Sequence, residues 1–350
     1  MTQTTNQKIT VTCLPGLETL LAEEIEVIGA KEIEVGRRAV MCTGDLNLIY
    51  KLNIKCRFAL RVLLHLEKHD VRQEEDMYRA VRGIKWSSHF DVKKTFAVRA
   101  AFGRHKFKNT HYFALKAKDG IVDQFMESVE SRPSIDTKSP DVGIYLFYDS
   151  GELDIYLDSS GYSLHKRGYK QHLGQASINE TLAAAVFKWS GWTPGKTVIN
   201  PMCGVGTLGI EAAFAMNNLS PQIQRLSFGF QHWFNYDSAA FDSIKKEAQL
   251  TSSEEDVLCS DIDRRAVDDC RSNVDHAELS NFIHCDVEDF FEMECIEDSI
   301  ILLNPPYDKR IKELDVVGFY RQIGDTLKFK WKNCTCIIIV EIWMHSNLLA

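Results

Sequence analysis

Residues 197–217 read Thr-Val-Ile-Asn-Pro-Met-Cys-Gly-Val-Gly-Thr-Leu-Gly-Ile-Glu-Ala-Ala-Phe-Ala-Met-Asn, and this stretch decides the fold. A short apolar run at 197–200 predicts a strand. Two glycines, Gly204 and Gly206, then turn the chain, and a helix is expected from Thr207 to about 217. Glycines there let the backbone come close to a ligand, and the first turn of the helix offers N–H groups to an acceptor. A tight strand-to-helix turn without a ligand is the plainer alternative when the Gly-x-Gly is taken alone.

Working outward, the same alternation continues. A helix is expected at 178–190, before the quoted stretch. After it come strand 256–260, helix 264–275, strand 281–284, strand 299–303, helix 316–328 and strand 335–342. Strands alternating with helices imply an α/β domain with a doubly wound, mostly parallel sheet. Such a sheet places ligands beyond the carboxyl ends of its strands, and three further pieces fall at those ends. Asp261-Ile262-Asp263 follows one strand and could accept both hydroxyls of a ribose, or cap the next helix. Asp286 could accept from an adenine amine, although a surface turn is the better reading for it alone. Asn304-Pro305-Pro306-Tyr307 follows the apolar run Ser299–Leu303. Two prolines fix that backbone, so the Asn304 side-chain oxygen and the Pro305 carbonyl can accept both hydrogens of an exocyclic amine. Tyr307 then offers a face to a flipped base.

The spacing excludes a nicotinamide dinucleotide site. There the acid lies about 20 residues beyond the glycines, whereas here an insertion from about 218 to 255 intervenes. Cys203 could suggest a nucleophile, but a small residue buried in the turn is the better reading.

The front of the chain has a different grammar. Residues 8–14 suggest a strand, 17–28 an amphipathic helix, and 31–43 a strand pair. Asp45 is placed to cap a helix at 46–54, and 58–67 alternates as a strand. A second α+β unit follows: a helix from Met77, strand 95–102, helix 110–130, and strands 142–149 and 152–158 joined at Ser150-Gly151. Residues 159–177 are polar and basic and serve as a linker.

Charge divides along the same line. Residues 1–172 hold 26 Lys and Arg against 23 Asp and Glu; residues 173–350 hold 15 against 26, so the overall −8 conceals a mildly basic front half. Residues 93–118 hold eight Lys or Arg and no Asp or Glu. Lys93, Lys94, Arg104, Lys106 and Lys108, with Lys166 and Arg167 of the linker, are candidate phosphate contacts. Phe102, Phe107, Tyr112 and Phe113 are interleaved with them. A solvated basic face is the alternative. The ten cysteines form no Cys-x-x-Cys pair, no metal site is expected, and no export signal or long apolar span is evident, so a cytoplasmic location is expected.

Taken in order, the four pieces of the second half resemble a class I S-adenosylmethionine-dependent methyltransferase of the kind that methylates amine or amide nitrogens. Asn200 to Ala213 is more particular and resembles the bacterial 23S rRNA guanine-N2 methyltransferases. Leu164-His165-Lys166-Arg167-Gly168-Tyr169, Asn179 to Ala184 and the insertion around Phe228–Trp233 are similar to the same family. Val205 replaces the serine usual there.

This resemblance implies a Rossmann-like methyltransferase domain at 178–350, preceded by a ferredoxin-like subdomain at 1–57 and a THUMP RNA-binding domain at 58–158. It implies S-adenosyl-L-methionine as cofactor, lined by Asn200, Met202, Cys203, Gly204, Gly206 and Thr207, with Asp261 at its ribose and Asp286 at its adenine. Asn304, Pro305, Pro306 and Tyr307 would meet the target base, in 23S rRNA or a large-subunit precursor. Since the chain ends at Ala350, the last two strands of the family's sheet are expected to be missing. Asn-Pro-Pro-Tyr reads an amine rather than a base. From the residues alone, DNA adenine-N6 or protein glutamine-N5 methylation therefore stays open, as does a non-catalytic RNA-binding module.

Overall fold

The computed structural model describes residues 6–105, 107, 110–172, 177–248, 255–306 and 316–340. The chain forms two compact units, Met1–Lys166 with Arg225–Gln249, and Arg167–Gln224 with Leu250–Ala350.

The first unit is built on one seven-stranded sheet. Strands β1 (Gln7–Cys13), β2 (Lys31–Val35), β3 (Ala39–Gly44), β4 (Ala59–Asp70), β5 (Phe96–Phe102), β6 (Val142–Asp149) and β7 (Glu152–Asp158) lie in the order β2-β3-β1-β4-β7-β6-β5. The two α+β segments thus share a single sheet, joined where β4 pairs antiparallel with β7. Alternation sets the faces: in β1, Ile9, Val11 and Cys13 are buried while their neighbours are not. Helices α1 (Glu18–Ile28) and α2 (Leu46–Lys55) belong to the first segment. As expected, Asp45 caps α2, accepting from the Leu48 N–H at 2.8 Å. Helices α3 (Glu74–Gly83) and α4 (Thr110–Val129) belong to the second. Ser150 and Gly151 both take positive φ, +53° and +101°, as a two-residue hairpin turn requires.

The insertion contributes to this same unit. Its helix α7 (Ser238–Glu247), which the sequence reading did not anticipate, is capped by Asp237. Around Tyr50 of α2 gather Phe230, Phe241 and Tyr236, with ring centroids 4.6, 5.6 and 6.0 Å away, and the Tyr50 hydroxyl accepts from the Asp237 N–H at 2.9 Å. Arg225 donates to the carbonyls of Ser160 and Tyr162 at 2.7 and 2.6 Å, with its guanidinium over the Tyr162 ring.

The second unit is a five-stranded parallel sheet of β8 (Val198–Pro201), β9 (Val257–Asp261), β10 (Ile283–Val287), β11 (Ile300–Leu303) and β12 (Thr335–Ile338), in the order β10-β9-β8-β11-β12. Its helices are α5 (Glu180–Trp189), α6 (Thr207–Met216), α8 (Arg264–His276) and α9 (Val316–Phe329). Both faces are covered, which is why β11 is apolar throughout rather than alternating. Ile300 and Leu302 pack with Leu208, Ile210 and Val274 on one face. On the other, Ile301 and Leu303 pack with Phe290, Ile323 and Trp331. The chain runs from β8 outward to β10, then returns to the other side of β8 as β11. The strand order reverses there, and a crevice opens at the carboxyl ends of β8 and β11.

Candidate active site

Beyond β8, Met202, Gly204 and Gly206 all have positive φ, at +57°, +54° and +84°. The left-handed conformation at Met202, a residue with a Cβ, is uncommon and is sustained by the bonds around it. The Cys203 N–H donates to the Ser260 carbonyl at 2.8 Å, and the Gly204 N–H to Asp261 Oδ2 at 2.9 Å. The other oxygen of Asp261 accepts from the Asp263 N–H at 3.0 Å, and Asp263, not Asp261, caps α8 through the Arg265 N–H. A Cβ on Gly204 would meet nothing within 4 Å, whereas one on Gly206 would collide with Cys270 Sγ. The first glycine therefore faces open space and the second permits close packing. Beneath the loop lie the thiols of Cys203, Cys259, Cys270 and Cys285. Hydrogen bonding from Cys259 and Cys270 holds the Cys203 thiol down to about 6.

This loop forms one wall of a cleft of about 610 Å³, a volume suited to a small-molecule cofactor. Met202, Cys203, Gly204 and Thr207 line it as expected, as does Asp261. Asn304 and Pro306, just beyond β11, line the same cleft, and Pro305 is buried behind them. Sequence-distant pieces are thereby brought to one cavity.

Three expected cofactor residues are placed elsewhere. Asn200 is buried and donates to the Leu302 carbonyl at 2.7 Å, tying β8 to β11 two residues before Asn304. Gly206 acts through the turn rather than as a lining residue. Asp286 is largely exposed, 4.0 Å from Arg271 on the α8 side, while Glu288 and Asp289 line the cleft instead. Those two, and the ring faces of Phe290, Phe291 and Phe319, were not singled out from the sequence. The run Asp286-Val287-Glu288-Asp289-Phe290-Phe291 immediately after a strand carried the signal. Tyr307 lies outside the described residues.

Among the described residues the lining is acidic: Asp261, Asp263, Asp269, Glu288 and Asp289 stand with one cation, Arg265. Such a rim repels the phosphates of a dinucleotide and suits a cationic ligand with hydroxyls. Together with the space above Gly204, this fits a sulfonium nucleoside.

In the first unit, Lys93, Arg104 and Lys166 are exposed and Lys94 half-buried, with Arg104 3.8 Å from Asp149. Lys106 and Lys108 lie outside the described residues. Arg167 departs from the expectation. In the second unit its side chain is fully buried, 3.4 Å from the equally buried Glu211, which also accepts from the Tyr169 hydroxyl at 3.1 Å. A guanidinium committed to a core carboxylate is not available to phosphate. Of the interleaved aromatics, Phe113 is buried, and the half-buried Phe102 and Phe107 each pack on it, at 5.2 and 5.0 Å between centroids.

Residues 167–349 match the RMKL-like methyltransferase domain. The chain belongs to that methyltransferase family. Residues 8–63 match the RlmL ferredoxin-like domain and 71–158 the THUMP domain. The chain is 32% identical to slr0064 of Synechocystis sp., named for RNA methyltransferase activity, over 92% of this chain and 85% of that protein. It is 34% identical to the ribosomal RNA large subunit methyltransferase K/L of Pseudomonas paraeruginosa, over 91% of this chain but 46% of that protein, so it spans less than half of that relative's length. The fold is similar to the crystal structure of a possible methylase from Clostridium difficile, with a TM-score of 0.85, 26% identity, and coverage of 95% of this chain and 89% of that one. The RMKL-like methyltransferase domain behind a THUMP domain makes it an RNA methyltransferase.

Proposed function

We propose that this methyltransferase places a methyl group on the exocyclic N2 of a guanine in 23S rRNA or its precursor, in the cytoplasm. The observation that carries the reading is the opening of Asn304 and Pro306 into the same cleft as the left-handed glycine loop. The name of the Pseudomonas relative supports large-subunit rRNA, and the sequence resemblance supports guanine N2. The parts fall to a ferredoxin-like segment at 1–57, a THUMP domain at 58–158, a linker at 159–177 and the catalytic domain at 178–350.

The cofactor is S-adenosyl-L-methionine, which supplies an already activated methyl group. Met202, Cys203, Gly204 and Thr207 would hold it, with Asp261 accepting from its ribose and the acidic residues after β10 facing its adenine. The protein's task is then mainly orientation. The Asn304 side-chain oxygen and Pro305 carbonyl would accept the two amine hydrogens and so leave the nitrogen lone pair free for the methyl donor. The prolines hold that pair of acceptors in place, and Tyr307 is assigned the base-stacking face. The donor would give up its sulfonium sulfur–methyl bond and leave as a thioether, so positive charge would pass to the amine. There these two acceptors would engage it more strongly in the transition state than before it, until the surplus amine proton passes to water. Lys93, Lys94, Arg104, Lys106, Lys108 and Lys166 would contact phosphate.

The test is incubation with labelled S-adenosyl-L-methionine and unmodified large-subunit rRNA, followed by mapping of the label. Label on a guanine N2 supports the reading. Label on adenine N6, or no label on this RNA when DNA or protein offered in parallel is labelled, would overturn the substrate assignment.

A further inference from the structure

The inner face of α8 carries one polar side chain. Asn273 is fully buried among Val267, Cys270 and Val274. A leucine would pack there and favour the helix, so packing does not explain an asparagine, whose amide is unfavourable in such surroundings unless its polar atoms are bonded. Here they are bonded on two sides. The side-chain oxygen accepts from the Gln171 and His172 N–H groups at 2.9 and 3.2 Å, and Nδ2 donates to the carbonyls of Val205 and His172 at 3.0 and 3.3 Å. Two N–H groups at one end and two carbonyls at the other fix which end is the oxygen.

Both sides matter to the catalytic cleft. Gln171 and His172 belong to the linker, whose preceding residues are tied down in the same unit, Arg167 to Glu211 and Lys170 to Glu180 at 3.0 Å. Val205 lines the cleft and is the middle residue of the glycine turn, between Gly204 at φ +54° and Gly206 at φ +84°. The N–H groups on either side of it are already engaged, that of Gly204 with Asp261 and that of Gly206 with the Cys203 carbonyl at 2.9 Å. Its carbonyl is the remaining polar group of the turn's centre, and Asn273 holds it.

We propose that Asn273 is a positioning residue for the cofactor: its amide fixes the Val205 carbonyl, and with it the central peptide of the glycine turn, against the linker. A peptide next to glycine rotates at little cost. Rotation of the one between residues 205 and 206 would withdraw the Gly206 N–H from Cys203 and turn the Val205 carbonyl out of the packed interior, altering the wall that the cofactor meets. Asn273 opposes that rotation from a helix, an element more rigid than the turn. Because the same amide holds Gln171 and His172, the linker that follows the front unit is fastened to the cofactor turn through one side chain. The inference rests on the reading of this cleft as the S-adenosyl-L-methionine site, and adds a residue that reaches the cofactor only through Val205.

The experiment is calorimetric titration of the full chain with S-adenosyl-L-methionine at about pH 8, with steady-state rates on unmodified large-subunit rRNA, for the wild type, Asn273→Asp and Asn273→Ala. The aspartate keeps both linker N–H bonds, which hold it ionised, and sets an oxygen against the Val205 carbonyl where a donor stood. The alanine gives up both sides. Each folded variant should bind the cofactor roughly tenfold more weakly, the effect of one buried carbonyl left unmatched. The kcat at saturating cofactor and the KM for rRNA should stay within about twofold of the wild type. Wild-type cofactor affinity in folded Asn273→Asp overturns the inference, because the amide then serves the linker alone. A fall in kcat with unchanged cofactor affinity overturns it too. If Asn273→Ala does not fold, the aspartate decides; loss of the fold in both makes the residue a structural requirement and overturns its positioning role. Failure of the wild type to bind S-adenosyl-L-methionine overturns both the inference and the cofactor reading beneath it.

Discussion

Two turns at the carboxyl ends of neighbouring strands divide the work of the catalytic cleft by opposite means. After β8 the backbone is left-handed at Met202, Gly204 and Gly206. After β11, Pro305 and Pro306 restrict it from within the residues themselves. The glycine turn has little intrinsic preference for its shape and is held from outside, by Asp261, by the Cys203-to-Ser260 bond and by the helix that follows. That helix is anchored by the buried pair of Glu211 and Arg167. The proline turn owes its restriction to its own two rings. It stands on β11, whose four residues are buried between two apolar layers. A loop that must let a ligand approach its backbone gives up side chains and takes its order from its neighbours. A loop proposed to hold two acceptors in a fixed position carries its own rigidity.

The largest effect expected from this contrast lies beneath the glycine turn. Arg167→Met leaves the Glu211 carboxylate buried without its cation, which should cost about 3–5 kcal/mol of unfolding free energy, measured by urea denaturation. RNA affinity of the folded variant should be unchanged. An RNA defect with normal stability would instead return Arg167 to the phosphate surface and remove the anchor from the argument.

At the proline turn the expected loss is in rate. Asn304→Ala removes one of the two proposed amine acceptors, and the kcat of methyl transfer should fall roughly 10²- to 10³-fold. Cofactor affinity, measured by calorimetric titration with S-adenosyl-L-methionine, should stay within about twofold. Equal losses in both would mean that Asn304 supports the cofactor and that the two turns do not divide the work.

The same contrast explains what could be read from the sequence. Elements with strong periodicity were legible, from β1 to β11, because alternation and helical spacing are local. So were Gly204, Gly206, Asn304 and Pro306, since turn residues of these types announce their backbone. The fate of Arg167 was not, because a basic linker and a buried ion pair look alike until Glu211, 44 residues later, is brought against it. Asp286 was misplaced for a related reason. Strand β10 ends at Val287, later than the expected 284, so the residues that reach the cleft are Glu288 and Asp289. The insertion was opaque because its aromatic residues find their partner, Tyr50, in the other half of the chain.

Gly206→Ala tests whether the glycine turn is shaped from outside. At φ +84° a Cβ is strained by roughly 1–2 kcal/mol, and this one also collides with Cys270 Sγ. Unfolding free energy should fall by about 2–3 kcal/mol in total. The double variant Gly206→Ala/Cys270→Ala should regain the stability lost to the collision, less the packing lost with the thiol, and none of that lost to backbone strain. Full recovery would show that the left-handed conformation is not required.

The smallest expected effect is the most discriminating. In Asp261→Asn the shape is kept, but an amide has only one oxygen, so it cannot accept from both Gly204 and Asp263 as the carboxylate does at 2.9 and 3.0 Å. Losing one charge-assisted bond should weaken S-adenosyl-L-methionine binding roughly tenfold, equivalent to about 1.4 kcal/mol. The rate at saturating cofactor should change little, because the proposed amine acceptors stand on the other turn. A loss in saturated rate with unchanged affinity would mean that Asp261 reaches across to the proline turn, and the cleft would then have to be described as one coupled device.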